Sequence, residues 1–187
     1  MNREKMVVTL NPKESNHATY QTLDELVTAL SEEERTTYSN IFHSIKIPNS
    51  TFEPCSSWSN SRYTRNCLAE NEKFELILLC WEEGQKTPIH DHGGEECWVK
   101  VIEGELRETH YKYNEDGELK TGKTAVSKTD DISYMIDFMG FHSLENISDG
   151  RAMSLHLYAK PIRNCKIFDD KSGQFVRKDM NYCTVAK

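Results

Sequence analysis

No run of apolar residues in this chain approaches the roughly 20 needed to cross a bilayer. Basic charge is not in excess either: 23 lysines and arginines against 30 acidic residues leave a net charge of −7. That balance argues against a nucleic-acid or anionic-membrane surface, since either needs a basic patch. The opening residues do not read as a secretory leader, because Met1-Asn2-Arg3-Glu4-Lys5 is charged and Met6-Val7-Val8 is too short for an apolar leader core. The six cysteines (Cys55, Cys67, Cys80, Cys97, Cys165 and Cys183) contain no C-x-x-C pair. A chain of 187 residues can bury a sizeable core without disulfides, so these are expected as thiols in a reducing, cytoplasmic setting. No internal repeat, low-complexity tract or linker divides the sequence. One domain over 1–187 is expected, with a helical cover to about residue 60, a β core over about 61–160 and a C-terminal wrap beyond.

The chain opens with helical patterning. Thr22-Leu23-Asp24-Glu25 has the form of a capping box and precedes Leu23, Leu26, Val27 and Leu30 at helical spacing. Ser31-Glu32-Glu33-Glu34 predicts a second helix start, with Tyr38, Ile41 and Phe42 on one face and an end near Pro48 and Asn49-Ser50. His17 and His43 are expected as solvated or capping side chains. From about Tyr63 the texture changes to short β-runs. Phe74 to Trp81 is an apolar run suited to a buried strand, and Glu96–Ile102 and Glu105–Tyr113 flank Glu103-Gly104, expected as a hairpin turn. Asn114-Glu115-Asp116-Gly117 is a strong turn signal. Ile132, Tyr134, Ile136 and Phe138 alternate with more polar residues, and Ala152 to Ala159 alternates again. Many short strands at close spacing predict a sandwich or barrel, a mainly β fold with N-terminal helices.

His90-Asp91-His92 is the densest chemical signal. Histidines at i and i+2 share one side of a strand, so both imidazoles can converge on one metal ion. The order Gly84, five residues, His90-x-His92, four residues, Cys97, six residues, Gly104 resembles the first metal motif of the cupin barrels. Cupins usually have a glutamate where this chain has Cys97. Glu96 falls within the range of that glutamate, with one residue too many before Gly104. Successive strand residues face opposite ways, so only one of Glu96 and Cys97 can face the metal, and Cys97 is the expected one. His142, alone, would read as a surface or satisfied core residue. Following Gly140 and preceding Asn146, it resembles the second cupin motif without its usual proline and becomes the expected third ligand. Three imidazoles suit zinc, copper, iron or nickel, and an open three-ligand site fits catalysis better than structure. Zinc-dependent hydrolysis therefore competes at this point.

Ser154-Leu155-His156-Leu157-Tyr158 places Ser154, His156 and Tyr158 on one strand face. An isolated pentad of this kind is more often a half-buried strand with its polar residues outward. Inside a metal-binding barrel the same row can be a hydrogen-bond relay in which serine orients histidine and histidine orients tyrosine. With these residues in place, the chain resembles the cysteine dioxygenase family. The resemblance runs through Arg62-Tyr63-Thr64-Arg65-Asn66, Cys80-Trp81-x-x-Gly84, Ile89-His90-Asp91-His92, Cys97, Gly140-x-His142, Glu145-Asn146, Ser154 to Tyr158, Cys165 and Phe168-Asp169.

That resemblance implies a cupin-fold, mononuclear non-haem Fe(2+) enzyme that adds both atoms of O2 to L-cysteine and forms cysteine sulfinate. It implies His90, His92 and His142 as iron ligands and a Cys97–Tyr158 thioether as a protein-derived cofactor, with Ser154 and His156 orienting Tyr158. The substrate would chelate iron through thiolate and amine, its thiolate supplying the charge that a glutamate ligand would otherwise bring. Arg65 offers a planar fork for the carboxylate and Tyr63 a hydroxyl donor; without the resemblance, Arg65 would read as a surface ion pair. L-cysteine and O2 are the expected partners, with no nucleic acid or membrane, and the expected state is a monomer. Competing expectations are another thiol dioxygenase, for 3-mercaptopropionate or cysteamine, and a non-catalytic metal-binding cupin that senses cysteine. The chain departs from the commoner family pattern at Tyr158-Ala159-Lys160-Pro161 and at Gly93-Gly94-Glu95-Glu96, leaving open a cis peptide after Tyr158.

Overall fold

The computed structural model describes residues 18–186; His17 and the Met6-Val7-Val8 run lie outside them. Helix α1 (Leu23–Glu32) begins at the expected capping box, with Thr22 Oγ1 accepting from Glu25 N and the Glu25 carboxylate accepting from Thr22 N. The second start lies further along. Ser31 does not cap: its hydroxyl donates back to Val27 O at 2.7 Å, inside α1. A 3₁₀ turn at Arg35–Thr37 then leads to α2 (Tyr38–His43), which buries the predicted Tyr38, Ile41 and Phe42. His43, exposed in its last turn, bonds Ser39 O through Nδ1.

The remainder is strands: β1 (Thr64–Glu70), β2 (Glu75–Trp81), β3 (Cys97–Glu103), β4 (Glu105–Tyr113), β5 (Leu119–Lys128), β6 (Ile132–Met135), β7 (Phe141–Asn146), β8 (Ala152–Tyr158), β9 (Asn164–Asp169), β10 (Gln174–Asp179) and β11 (Thr184–Val185). They form a six-stranded sheet in the order β11-β1-β2-β8-β3-β6, a three-stranded sheet β5-β4-β7 and a β9-β10 hairpin. Backbone bridges from His90 to His142 and to Ile167 stitch the last two together, so they close over one face of the six-stranded sheet.

Glu103-Gly104 is not a hairpin turn. Strand β3 pairs with β8 and β6 while β4 pairs with β5 and β7, so the chain crosses from one sheet to the other at this corner. Gly104 (φ +84°) is required there: a Cβ would lie 2.5 Å from Ser148 Oγ and 2.8 Å from Ala152 Cβ. The Asn114–Gly117 turn does join a hairpin, β4 to β5. Strand β6 is shorter than its alternation suggested and faces the other way. Met135 is its buried residue, Tyr134 packs on Trp98 outside, and Phe138 is 81% exposed on a following 3₁₀ turn. The backbone has no cis peptide among the described residues; after Tyr158 the chain turns with Lys160 at φ +113°. Beyond Pro161 the chain does more than wrap the outside, because β11 pairs parallel to β1 and completes the large sheet's edge.

Two apolar layers result. Leu26, Leu30 and Phe42 of the helices pack on Leu76, Leu78, Trp98, Leu155 and Leu157, the outer face of the large sheet. Ile77, Leu79, Trp81, Val99, Val101, Leu106 and Leu144 fill the interior between the sheets. The site opens from this second layer.

Candidate functional site

One nitrogen from each of His90, His92 and His142 lies within 4.8 Å of the others. His90 and His142 are held by backbone pairing, each donating its N–H to the other's carbonyl at 2.9 and 3.0 Å. His142 follows Gly140 (φ +109°), where a Cβ would meet Tyr111 O at 2.5 Å. His90 and His92 were expected on one regular strand, but only His90 has a bridge partner. Their convergence is made by side chains instead. Asp137 accepts from His92 N at 2.8 Å and Gly94 N at 2.6 Å, while Asp91 accepts from Lys166 N and Gly93 N.

The imidazoles are arranged for a cation. His90 Nδ1 is 3.0 Å from Pro88 O, and His142 Nδ1 is 2.6 Å from the buried carboxylate of Glu108. Those acceptors place the proton on Nδ1 and leave each Nε2 as a lone pair. The Nε2 atoms of His142 and His92 are 3.0 Å apart, a separation that two bare lone pairs resist unless a proton or metal ion lies between them. Burial lowers all three pKa values; His92 and His142 fall well below the ordinary value, helped by the neighbouring rings. Neutral rings are the form that binds metal, and the donor set fits a divalent transition-metal ion. Glu108 and Asp137 were not foreseen from the sequence, their partners being remote along the chain.

Glu96 points away from this centre. Its carboxylate bonds Arg35 Nε and, at 2.6 Å, the Tyr134 hydroxyl. Cys97 is fully buried on the opposite face and pairs directly with Tyr158 across β3 and β8. Burial holds the Cys97 thiol protonated, and the Tyr158 phenol is raised well above its usual range by burial and then by Cys97. The Tyr158 ring lies 5.6 Å, centroid to centroid, from His92.

The serine–histidine–tyrosine row also faces inward. Trp81 Nε1 donates to Ser154 Oγ at 3.0 Å, and Ser154 Oγ lies 2.8 Å from His156 Nε2. Trp81 holds the serine oxygen beside the imidazole, and the direction of the Ser154–His156 hydrogen bond follows the His156 tautomer. His156 stacks with Tyr158 at 6.3 Å and 27°. Trp81 matched the resemblance without a role; the structure makes it the head of this chain, and Tyr63 stacks on it at 4.8 Å.

Arg65 is only 7% exposed, and among the described residues its Nε and Nη2 have no hydrogen-bond partner. These two nitrogens form one edge of the guanidinium, the bidentate geometry that a carboxylate matches. Arg65, Tyr63, Tyr158, His156 and the three metal-type histidines all border one enclosed cavity of about 20 Å³, enough for a water-sized occupant. A wider cleft bordered by Tyr63, Arg65, His90 and Met180 leads outward. Every residue singled out for the site thus borders this cavity, except Cys97 and Ser154, which sit one contact behind Tyr158 and His156.

Comparison with known proteins places the arrangement in context. The chain is 40% identical over 118 residues to cysteine dioxygenase type 1 of Danio rerio, covering 60% of this chain and 58% of that protein. The Homo sapiens cysteine dioxygenase type 1 is 37% identical over 125 residues, covering 65% and 62%. The aligned segment therefore spans about three fifths of these relatives' length. A Klebsiella pneumoniae protein described as an uncharacterized conserved protein with a double-stranded β-helix domain superposes with a TM-score of 0.50 at 16% identity, covering 68% of this chain and 86% of that one. That likeness concerns the fold alone, and the fold is the expected mainly β cupin barrel with N-terminal helices. A family model described as cysteine dioxygenase type I matches residues 10–171, and the chain belongs to that family.

Proposed function

We propose that this protein is a non-haem iron(II) cysteine dioxygenase, converting L-cysteine and O2 to cysteine sulfinate with both oxygen atoms on sulfur. The observation that carries this reading is the meeting of three neutral imidazoles and the free edge of Arg65 in one buried cavity. His90, His92 and His142 would hold the metal. Bound there, iron(II) supplies the one-electron redox chemistry that O2 needs to react with a thiol.

This chain's own residues bind and orient. Arg65 takes the substrate carboxylate on Nε and Nη2, and Tyr63, kept protonated by burial, adds a hydroxyl donor. Leu79 and Leu144 line the same cavity and limit water. Tyr158 keeps its phenol proton and presents it to the cavity, oriented through Trp81, Ser154 and His156. The arrangement favours a carboxylated thiol, so cysteamine is the poorest of the small thiols considered.

Cys97 and Tyr158 are assigned a thioether cross-link, for which their direct pairing across β3 and β8 is the support. A bond forms between Sγ and a ring carbon beside the phenol, and the two hydrogens lost pass with their electrons to O2. Intact mass should fall by those two hydrogens during turnover; an unchanged mass after many turnovers rejects the link. All six cysteines are unpaired, consistent with a reducing cytoplasm. The deciding experiment is O2 uptake by iron-loaded protein with sulfinate measured alongside. One sulfinate per O2, with kcat/KM highest for L-cysteine over 3-mercaptopropionate and cysteamine, is expected. No O2 uptake with any thiol overturns the enzymatic reading in favour of a binding role.

A further inference from the structure

Arg65 is aimed by a second layer of residues that the chemistry described so far does not use. The nearest carboxylate is Glu75, whose Oε1 lies 3.9 Å from Arg65 Nη2, close enough to attract but too far to hydrogen-bond. Glu75 is fully buried at the first position of β2. Its other contacts hold it back: Ile162 N donates to Oε2 at 3.2 Å, and the Tyr182 hydroxyl bonds Oε1. The same hydroxyl is 2.9 Å from Glu70 Oε2.

Tyr182 belongs to a C-terminal strap laid along β1 beside the clamp. Cys183 N donates to Arg65 O at 2.7 Å, Ala186 N to Cys67 O at 2.8 Å, and Thr184 Oγ1 to Asn66 Oδ1 at 2.7 Å. Met180, at the start of the strap, borders both the cavity and the outer cleft.

We propose that Glu75, restrained by Tyr182 of the strap, is a positioning residue that aims Arg65 while leaving its Nε–Nη2 edge open for a substrate carboxylate. The physical argument concerns competition. A buried guanidinium with no anion nearby would be costly, and one in full contact with a protein carboxylate would have its donors already occupied. Glu75 held at 3.9 Å balances the charge and consumes no donor. Removing the Tyr182 hydroxyl frees Oε1, which can then close on Arg65 and compete with the incoming carboxylate. Selectivity for carboxylated thiols would thus be set partly by the strap.

The inference rests on the proposed thiol-carboxylate reading, so its test is separable from turnover. Binding of L-cysteine and of cysteamine, which lacks the carboxylate, is measured by calorimetry under argon on the iron-loaded protein. Tyr182→Phe should weaken L-cysteine at least fivefold and leave cysteamine within twofold. Adding Glu75→Gln to Tyr182→Phe removes the competing charge and should recover most of that loss. Equal weakening of both thiols, no weakening of either, or no recovery in the double variant would overturn the proposal. Failure of the wild-type protein to oxidise any thiol would count against the dioxygenase reading alone, since the binding contrast does not depend on it.

Discussion

The two faces of the six-stranded sheet carry different burdens although their residues alternate along the same strands. In β8, Leu155 and Leu157 point outward into the layer under α1 and α2, while Ser154, His156 and Tyr158 point into the barrel. Every residue of β8 is buried, so exposure does not distinguish the faces. Partners do. The outer face is closed by apolar side chains, and each fully buried leucine there contributes about 1.5–3 kcal/mol. The inner face buries histidines, an arginine and carboxylates, groups that oppose folding unless each finds a partner. Both faces bury apolar side chains, but only the inner one also carries the chemistry, one residue apart.

Substitutions on adjacent residues should separate these roles. His142→Ala, on the metal side, should abolish iron retention and O2 uptake while the metal-free fold survives; full turnover by that variant breaks the ligand assignment. Leu155→Ala, on the helix side, should cost about 2–5 kcal/mol in urea denaturation and leave the affinity of the folded fraction for L-cysteine unaltered. A large affinity change would show that the two faces are not independent. Glu108→Gln tests the inner face's supporting layer. It removes the charge behind His142 Nδ1 and should weaken iron(II) binding about 10–100-fold, the usual range for such partners, with the metal-free melting temperature nearly unchanged.

The smallest expected effect is on pH dependence. His90, His92, His142 and His156 all have lowered pKa values, chiefly through burial. Below about pH 6.5 the unfolded chain takes up protons that these rings refuse, at up to about 1.4 kcal/mol per pH unit for each ring. Burial raises Glu75 and Glu108, so on acidification the folded state takes up their protons ahead of the unfolded chain, which acts in the opposite sense. With the effect of the rings the larger, the metal-free protein is expected to be less stable at pH 5.5 than at 7.5. A denaturation midpoint that stays level or rises on acidification would mean that the inner-face rings fold in their charged form.

Much of this was legible in the sequence where one short segment decides the outcome. The capping box at Thr22 and Glu25 involves neighbouring residues only, and α1 starts there. The alternation of a strand allows only one of Glu96 and Cys97 to face the metal, and Glu96 does turn outward to Arg35 and Tyr134, leaving Cys97, the expected one, inward. Elsewhere the local signal was real but incomplete. Glu103-Gly104 has turn chemistry, yet a positive-φ glycine serves a corner between sheets as well as a hairpin. Glu108 lies in a strand of mixed polarity that resembles a solvated face, and only its approach to His142, 34 residues away, gives it a role. Asp137 serves His92 across 45 residues in the same way.

By itself the sequence determined which side chains alternate, which rings are available to a metal and where the chain must turn, because backbone geometry sets these over a few residues. The tertiary structure decided that Cys97 stands opposite Tyr158, that Asp91 and Asp137 fold the His90–His92 segment into a converging pair, and that Glu75 stops 3.9 Å short of Arg65. Those distances depend on strand register and on the strap along β1. They are fixed only when the sheets close and segments remote in the chain are brought into the same few ångströms.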